Sequence, residues 1–266
     1  MQQIVGLEIS DKKTKTEEEV LREFERDKWG RLIEMLSKIE TYDLKYVENL
    51  YSALSDKQLF YLNHEFFLTT TKRVINEHVD LYSKMFSKYL GKISCIVEFG
   101  AGFGSKILSL ATRKEFKDIP IYAAELTDSG QDLIRMISKM MNLDVNVGGV
   151  DFRTSELTDL SIPKNALIFT SYALHYDPKP SRKMFKIFHE LDPYVVINYE
   201  PCYELYGKET VHGQMCMKYI NMNDYTRNIY GIIKSNCSAM SLSFDVYPNI
   251  IGENPFMPIS CLEWGL

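Results

Sequence analysis

Residues 96–105 read Ile-Val-Glu-Phe-Gly-Ala-Gly-Phe-Gly-Ser, a short apolar run that leads into three alternating glycines. Apolar residues on both sides of Glu98 are typical of a strand buried on both faces of a parallel sheet. The glycines permit a tight turn in which a ligand can approach the backbone closely. A helix is predicted directly behind the turn, and its first N–H groups would point into the same crevice. The stretch therefore predicts a nucleotide-binding turn at the end of a first parallel strand.

The spacing of the glycines distinguishes two kinds of nucleotide site. A dinucleotide fingerprint, G-x-G-x-x-G, would need glycine at position 105, where the chain has Ser105. The Gly-Lys-Ser/Thr of a phosphate-binding loop does not follow either. What remains is E-x-G-x-G-x-G, beginning at Glu98, and this pattern favours a nucleoside that has no pyrophosphate.

Further strand-like segments follow at intervals, separated by helical patterns. They lie at about 121–125, 144–150, 166–172 and 194–198, and the first two run into Glu125 and Asp151. Strands that alternate with helices predict a parallel sheet with helices on both faces. Such a sheet would bring the acidic strand ends to one edge.

In order and spacing, these segments resemble the class I S-adenosylmethionine-dependent methyltransferases over residues 96–266. The resemblance implies an α/β, Rossmann-like sheet of seven strands, mostly parallel. Its last two strands, about 242–247 and 259–264, would form a C-terminal antiparallel hairpin. It also implies S-adenosylmethionine as the cofactor.

The resemblance assigns the cofactor contacts residue by residue. Glu98 would accept hydrogen bonds from the cofactor's ammonium or from turn amides. Glu125 would hold the ribose diol, since an ionised carboxylate has two acceptor oxygens, and Asp151 would face the adenine amino group. Arg73 has a planar fork that suits the cofactor's carboxylate. The remaining predicted cofactor contacts are Gly100, Ala101, Gly102, Leu126, Phe152 and Ser171.

The predicted loop after the fourth strand carries the candidate catalytic residues, Tyr172 and His175. The Tyr172 hydroxyl could orient the methyl acceptor, and His175 could take a proton from it. Because a lone histidine is more often a packed or capping residue, a structural role for His175 is the alternative.

Residues 1–92 are predicted to form a helical cap or lid, and residues 93–266 the cofactor-binding domain. Thr16 and Glu19 fit a capping box, and helices are expected at about 44–54, 56–67 and 70–91. An acceptor-side insertion at about 203–240 is rich in tyrosine and methionine. The apolar helical stripes of the cap either pack as core or close over the cofactor cleft. The insertion either walls the acceptor pocket or only caps the sheet.

A narrower resemblance concerns the acceptor. The helical N-terminal region with Phe24 and Trp29, together with Ser-Tyr-Ala-Leu-His-Tyr at 171–176, looks like the plantazolicin-type N-methyltransferases. Those enzymes dimethylate the α-amine of an N-terminal arginine in thiazole/oxazole-modified peptides. This resemblance implies that Asp177, Glu200 and Glu204 are candidate partners of the guanidinium. The azole chain would lie along Phe24, Trp29 and the tyrosines of the insertion. O-methylation of a small metabolite and a non-catalytic cofactor-binding scaffold are the alternatives.

Composition excludes several other classes. A net charge of −5 and a pI near 5.6 argue against binding to a nucleic-acid backbone. Five scattered cysteines without a C-x-x-C pair, and no basic, apolar start, favour a cytoplasmic protein with reduced thiols. The sequence contains no run of about 18 apolar residues, so no membrane-spanning helix is expected. The five histidines never fall at i, i+4, which argues against a helical metal site.

Overall fold

The structure is a computed structural model that describes residues 16–52, 57–177, 180 and 182–265. In these residues ten strands form one sheet in the order β2-β1-β9-β10-β8-β7-β3-β4-β5-β6. The strands are β1 Gln58–Leu62, β2 Glu65–Thr69, β3 Ile96–Phe99, β4 Ile121–Ala124, β5 Val145–Asp151, β6 Glu156–Thr158, β7 Leu167–Ser171, β8 Val195–Glu200, β9 Ser243–Gly252 and β10 Ile259–Gly265.

The helices lie between these strands and before them. They are α1 Glu17–Arg22, α2 Arg31–Leu36, α3 Leu44–Ser52, α4 Thr71–Phe86, α5 Ser105–Ala111, α6 Asp128–Met140, α7 Phe185–Leu191, α8 Val211–Met222 and α9 Ile229–Met240. A π-helical stretch, Glu23–Gly30, joins α1 to α2. The predicted capping box is confirmed, because the Thr16 hydroxyl accepts the Glu19 N–H and the Glu19 carboxylate accepts the Thr16 N–H. Within the described ranges, no helix combines the length and apolarity that crossing a membrane would require.

The centre of the sheet confirms the predicted α/β fold. Strands β5, β4, β3, β7 and β8 are parallel to one another. Consecutive residues of β3 enter different cores: Ile96 packs on one face with α4, α5 and α6, and Val97 packs on the other with α7 and α9. Helices therefore cover both faces, and the carboxyl ends of the parallel strands open at one edge.

The two ends of the sheet extend beyond the seven predicted strands. The predicted segments at 242–247 and 259–264 correspond to β9 and β10, which pair antiparallel, and β10 pairs antiparallel with β8. The short β6 adds to the opposite end by pairing with β5.

The helix predicted over 56–67 is wrong. Residues 58–69 form the hairpin β1–β2, which joins the sheet through β9, and residues 53–56 lie outside the described part of the chain. The turn residues Asn63 and His64 both have positive φ, 49° and 69°. Positive φ at both central residues is the geometry of a two-residue hairpin turn, and asparagine tolerates it well. Aromatic residues on both sides of this turn suit strands better than helices. The 1–92 region is therefore not helical throughout.

The insertion at 203–240 is mainly two helices that pack against the rest of the protein. Helix α9 buries Ile229, Ile233 and Cys237 in the core beneath the sheet. Helix α8 contributes Cys216 and Ile220 to a small separate cluster. Of the two helices, α9 thus covers the sheet, whereas α8 packs in the separate cluster.

Candidate functional site

A cavity of about 610 Å³ lies at the carboxyl ends of β3, β4, β5 and β7, beneath the N-terminal helices. Ligands of open α/β sheets bind in this crevice. The cavity brings together most of the predicted site residues: Phe24, Trp29, Glu98, Gly100, Ala101, Glu125, Leu126, Asp151, Phe152, Ser171, Tyr172 and Asp177. Arg73, Gly102, His175 and Glu200 are not among the residues that line it.

The glycine turn requires its glycines for steric reasons. Gly100 has φ +74°, and a Cβ placed there would lie 2.5 Å from the Ala173 Cβ. Gly102 has φ +58°, and a Cβ placed there would lie 3.3 Å from Cζ2 of the Trp29 ring. The turn therefore lies between the loop after β7 and the N-terminal helices, and a side chain at position 100 would collide with Ala173.

Glu98 is buried below this turn, with 2% of its surface exposed. Its Oε2 accepts the N–H of Ile107, in the first turn of α5, at 3.0 Å. Burial raises the pKa of Glu98 to about 8, and nearby Glu125 adds to the increase while the ammonium of Lys106 opposes it. The site thus holds a carboxyl group that gains its charge readily only when a cation is nearby.

Replacing Glu98 by glutamine should change how stability depends on pH. An unfolded glutamate has a pKa near 4.5, so the raised folded value of about 8 means that the native state binds more protons between these pH values. Wild-type stability should therefore fall as pH rises from about 4.5 to 8, by an amount on the order of 4 kcal/mol at most. We expect the melting temperature of Glu98→Gln to exceed that of wild type at pH 8.5 but not at pH 4.5. A constant difference across this range, measured by thermal denaturation, would contradict the buried-acid account.

Glu125 follows β4 and connects two backbone turns. Its Oε2 accepts the Gly102 N–H at 2.9 Å. Its Oε1 accepts the N–H of Thr127 at 3.2 Å and the Thr127 hydroxyl at 2.8 Å. Burial raises the pKa of Glu125, while these donors favour its ionised form. A carboxylate held in this way between the glycine turn and the start of α6 is positioned to accept hydrogen bonds from a ligand diol.

Asp151 and Phe152 form another part of the cavity wall. Asp151 accepts hydrogen bonds from the Arg153 guanidinium, 2.7 Å from Nη2 to Oδ2, and this contact lowers the pKa of Asp151. Phe152 packs edge-on against Phe99 at 6.1 Å between ring centroids. The Asp151 carboxylate is thus ionised and held in place beside an aromatic surface.

The loop after β7 holds its residues in an unusual conformation. Tyr172 has φ +53°, and its hydroxyl donates to the carbonyl of Met257 at 3.2 Å. Burial raises the pKa of Tyr172 above its usual range. The Ser171 hydroxyl lies 2.8 Å from the Tyr82 hydroxyl. The ring of Tyr172 therefore lines the cavity while its hydroxyl is already bound to the backbone.

His175 and Glu200 do not face the cavity, contrary to the predicted catalytic and substrate-binding roles. Both are buried, with 2% and 0% of their surfaces exposed, and His175 Nδ1 lies 3.6 Å from Glu200 Oε2. The other oxygen of Glu200 accepts the N–H groups of Ala173 and Leu174 at 3.0 and 3.1 Å. Glu200, the last residue of β8, therefore holds the loop after β7 through two of its backbone N–H groups, and His175 of that loop packs beside the Glu200 carboxylate. This geometry agrees with the alternative prediction for His175, a packed structural residue.

Two further assignments need correction, and the cations of the cavity wall were missed. Arg73 lies in the first turn of α4, where it is exposed and pairs with Glu77 at 3.3 Å. Glu204 accepts the Gly231 N–H at 2.8 Å in the insertion and does not line the cavity. Among the described residues, two cations line the cavity: Arg153, which pairs with Asp151, and Lys106, the second residue of α5. For Lys106, the position directly behind the glycine turn was the available sequence signal.

The N-terminal helices close the cavity from above. The Trp29 ring packs 5.5 Å from the Phe103 ring and 5.8 Å from that of Phe24. The Glu25 carboxylate accepts the N–H of Ser129, in the first turn of α6, at 3.2 Å. By contrast, Asp224 is the only residue of the insertion at 203–240 among the described residues that line the cavity. The N-terminal region is therefore the main cover of the described site.

The side chains that line this cavity fit the chemical groups of S-adenosylmethionine. Trp29 Nε1 is buried and has no hydrogen-bond partner among the described residues, so a donor remains for a ligand. Carboxylates, a glycine turn and an aromatic wall also match the ammonium, diol and adenine of a nucleoside with an amino-acid tail. The volume is within the range of small-molecule sites.

Comparison with known proteins supports the fold. No protein-family model matches the sequence, and no curated protein matches it. Among solved structures, the magnesium protoporphyrin IX methyltransferase (ChlM) of Synechocystis PCC 6803 with bound S-adenosylhomocysteine is similar, with a TM-score of 0.59. The match is 11% identical and covers 94% of this chain and 99% of that one. With bound S-adenosylmethionine, ChlM gives a TM-score of 0.53 at 11% identity, covering 92% of this chain and 94% of that one. The chain therefore has the α/β fold of this methyltransferase structure.

Proposed function

We propose that the chain is an S-adenosylmethionine-dependent methyltransferase. The observation that carries the proposal is the Glu125 carboxylate, which follows β4 and accepts the N–H of Gly102 in the E-x-G-x-G-x-G turn. This contact joins the predicted ribose-binding acid to the predicted cofactor turn in one cavity. The similarity of the fold to ChlM supports the proposal.

In this proposal the ribose lies against Glu125 and the adenine between Asp151 and the ring of Phe152. The amino-acid end lies over Gly100 and Ala101, near Glu98. Bound S-adenosylmethionine supplies an electrophilic methyl group on sulfur. The chain's own residues mainly orient the two reactants and exclude water, and orientation of this kind can contribute roughly 7–11 kcal/mol.

The acceptor we propose is an amine, and specifically the α-amine of an N-terminal arginine in an azole-modified peptide, which would be dimethylated. The cavity wall supports a cationic acceptor, because Glu48, Glu253 and Asp177 all line it. Aromatic rings suited to flat azoles are also there: Trp29 and Tyr51 lie 5.3 Å apart, and Phe24 packs edge-on against Tyr176 at 5.1 Å. Of the predicted guanidinium partners, Asp177 is the one that faces the cavity.

The buried glutamate Glu48 supports this acceptor further. Its Oε1 accepts the Ser105 hydroxyl at 2.6 Å, and burial raises its pKa, with Glu253 and Asp43 adding to the increase. Carboxylates that raise one another's pKa are stabilised when a cation binds between them. We also propose a cytoplasmic location, which the five free, buried cysteines support.

Mass spectrometry tests the proposal. The protein is incubated with S-adenosylmethionine and a panel of amine peptides, with and without N-terminal arginine, and of hydroxylated metabolites. We expect S-adenosylhomocysteine to form together with a peptide that gains two methyl groups. Methylation of hydroxyl groups alone would favour an O-methyltransferase instead. Tight cofactor binding without turnover on any acceptor would favour the non-catalytic scaffold.

A further inference from the structure

Lys106 is a cation inside the cavity whose role the fold does not explain. It is the second residue of α5, directly behind the glycine turn, and it is half-buried in the cavity wall. Among the described residues, no carboxylate lies within ion-pair distance of its ammonium. A partly buried ammonium without a partner loses part of its hydration, and pairing with a ligand anion would compensate for that loss.

The neighbouring acids are already bound to other groups. Glu98 accepts the Ile107 N–H, and Glu48 accepts the Ser105 hydroxyl. The ammonium is nevertheless close enough for its charge to lower the pKa values of Glu48 and Glu98 and that of the buried imidazole of His78. Lys106 therefore lies among these groups, in the part of the cavity next to the turn.

We propose that Lys106 binds the α-carboxylate of the cofactor's amino-acid end, while Glu98 receives the neighbouring α-ammonium. The inference rests on the proposed function and assigns to Lys106 the contact that the sequence predicted for Arg73. A carboxyl and an ammonium side chain on adjacent parts of one wall match the two charges of a zwitterionic amino acid. Arg73 does not compete for this role, because it is exposed and pairs with Glu77.

Ligands that differ only in the amino-acid end provide the test. Calorimetric titration compares S-adenosylhomocysteine, its decarboxylated analogue and 5′-methylthioadenosine, which lacks the whole amino-acid end. Lys106→Met keeps most of the apolar stem and removes the charge, Lys106→Gln is a second variant, and Lys114→Met is the control for an exposed lysine. Melting temperatures establish that each variant is folded.

We expect Lys106→Met to weaken S-adenosylhomocysteine binding by about 10- to 150-fold, the range for a hydrogen bond to a charged group. Binding of the decarboxylated analogue and of methylthioadenosine should change less than about threefold, the carboxylate being the group lost. Equal weakening of all three ligands would overturn the proposal, since it would show a structural role. Unchanged S-adenosylhomocysteine binding with a raised acceptor KM would also overturn it. Failure of the wild type to bind any of the three would instead contradict the proposed function.

Discussion

Glu125→Ala is expected to weaken S-adenosylhomocysteine binding by about 1.5–3 kcal/mol, the range for hydrogen bonds to a charged group, or about 10- to 150-fold in Kd. The side chain has two functions that the substitution removes together. It would lose the predicted bonds to the ribose diol, and it would leave the N–H of Gly102 and both donors of Thr127 without an acceptor.

A matched substitution separates these effects. Thr127→Val removes one donor to Glu125 and the Thr127 hydroxyl that accepts the Gly130 N–H, but keeps the carboxylate. We expect it to lower the melting temperature while the Kd changes much less than in Glu125→Ala. Calorimetry that finds the same Kd in wild type and Glu125→Ala would show that the ribose does not bind at the end of β4.

Gly100→Val should abolish cofactor binding and lower the melting temperature. A side chain at φ +74° costs roughly 1–2 kcal/mol by itself. In addition, its Cβ would lie 2.5 Å from the Ala173 Cβ, so the turn or the loop after β7 must move. Since both form the cavity wall, the movement would disturb the site where the cofactor's amino-acid end is proposed to bind.

The chain offers a control with the same backbone strain and no collision. Gly91 has φ +79°, and an added Cβ there would meet no atom within 4 Å. Gly91→Val should therefore lower the melting temperature less than Gly100→Val and leave the Kd for S-adenosylhomocysteine unchanged. A double variant tests the contact between positions 100 and 173 directly. Gly100→Ala combined with Ala173→Gly should bind S-adenosylhomocysteine more tightly than Gly100→Ala alone. If the second substitution gives no rescue, the close approach of these two positions is not the cause.

The central sheet could be predicted because its signals are local. Buried strands of a parallel sheet are short apolar runs, and those at 96–99 and 121–124 read as such without knowledge of the rest. The acids Glu98 and Glu125 follow from the same logic, since residues at the carboxyl ends of neighbouring parallel strands meet at one edge. Their burial, and the hydrogen bonds from Ile107 of α5 to Glu98 and from Gly102 of the turn to Glu125, were found in the structure.

The misassigned residues depend on long-range contacts that a sequence pattern does not contain. His175 and Glu200 are 25 residues apart in sequence, and only the parallel pairing of β7 with β8 places one below the other. Arg73 and Lys106 are equally plausible cations by type, and which one reaches the cavity depends on the orientation of α4 and α5. The hairpin β1–β2 was missed because its turn, Asn63–His64, has no glycine, although asparagine accepts positive φ.

The most direct test of the account is a calorimetric titration of the wild-type chain with S-adenosylhomocysteine and, in parallel, with NAD. The glycine spacing and the Glu125 carboxylate predict saturable binding of one S-adenosylhomocysteine per chain and no binding of NAD. Binding of NAD in place of S-adenosylhomocysteine, or no heat of binding with either ligand at millimolar concentration, would contradict the proposal that this cavity is a methyltransferase cofactor site.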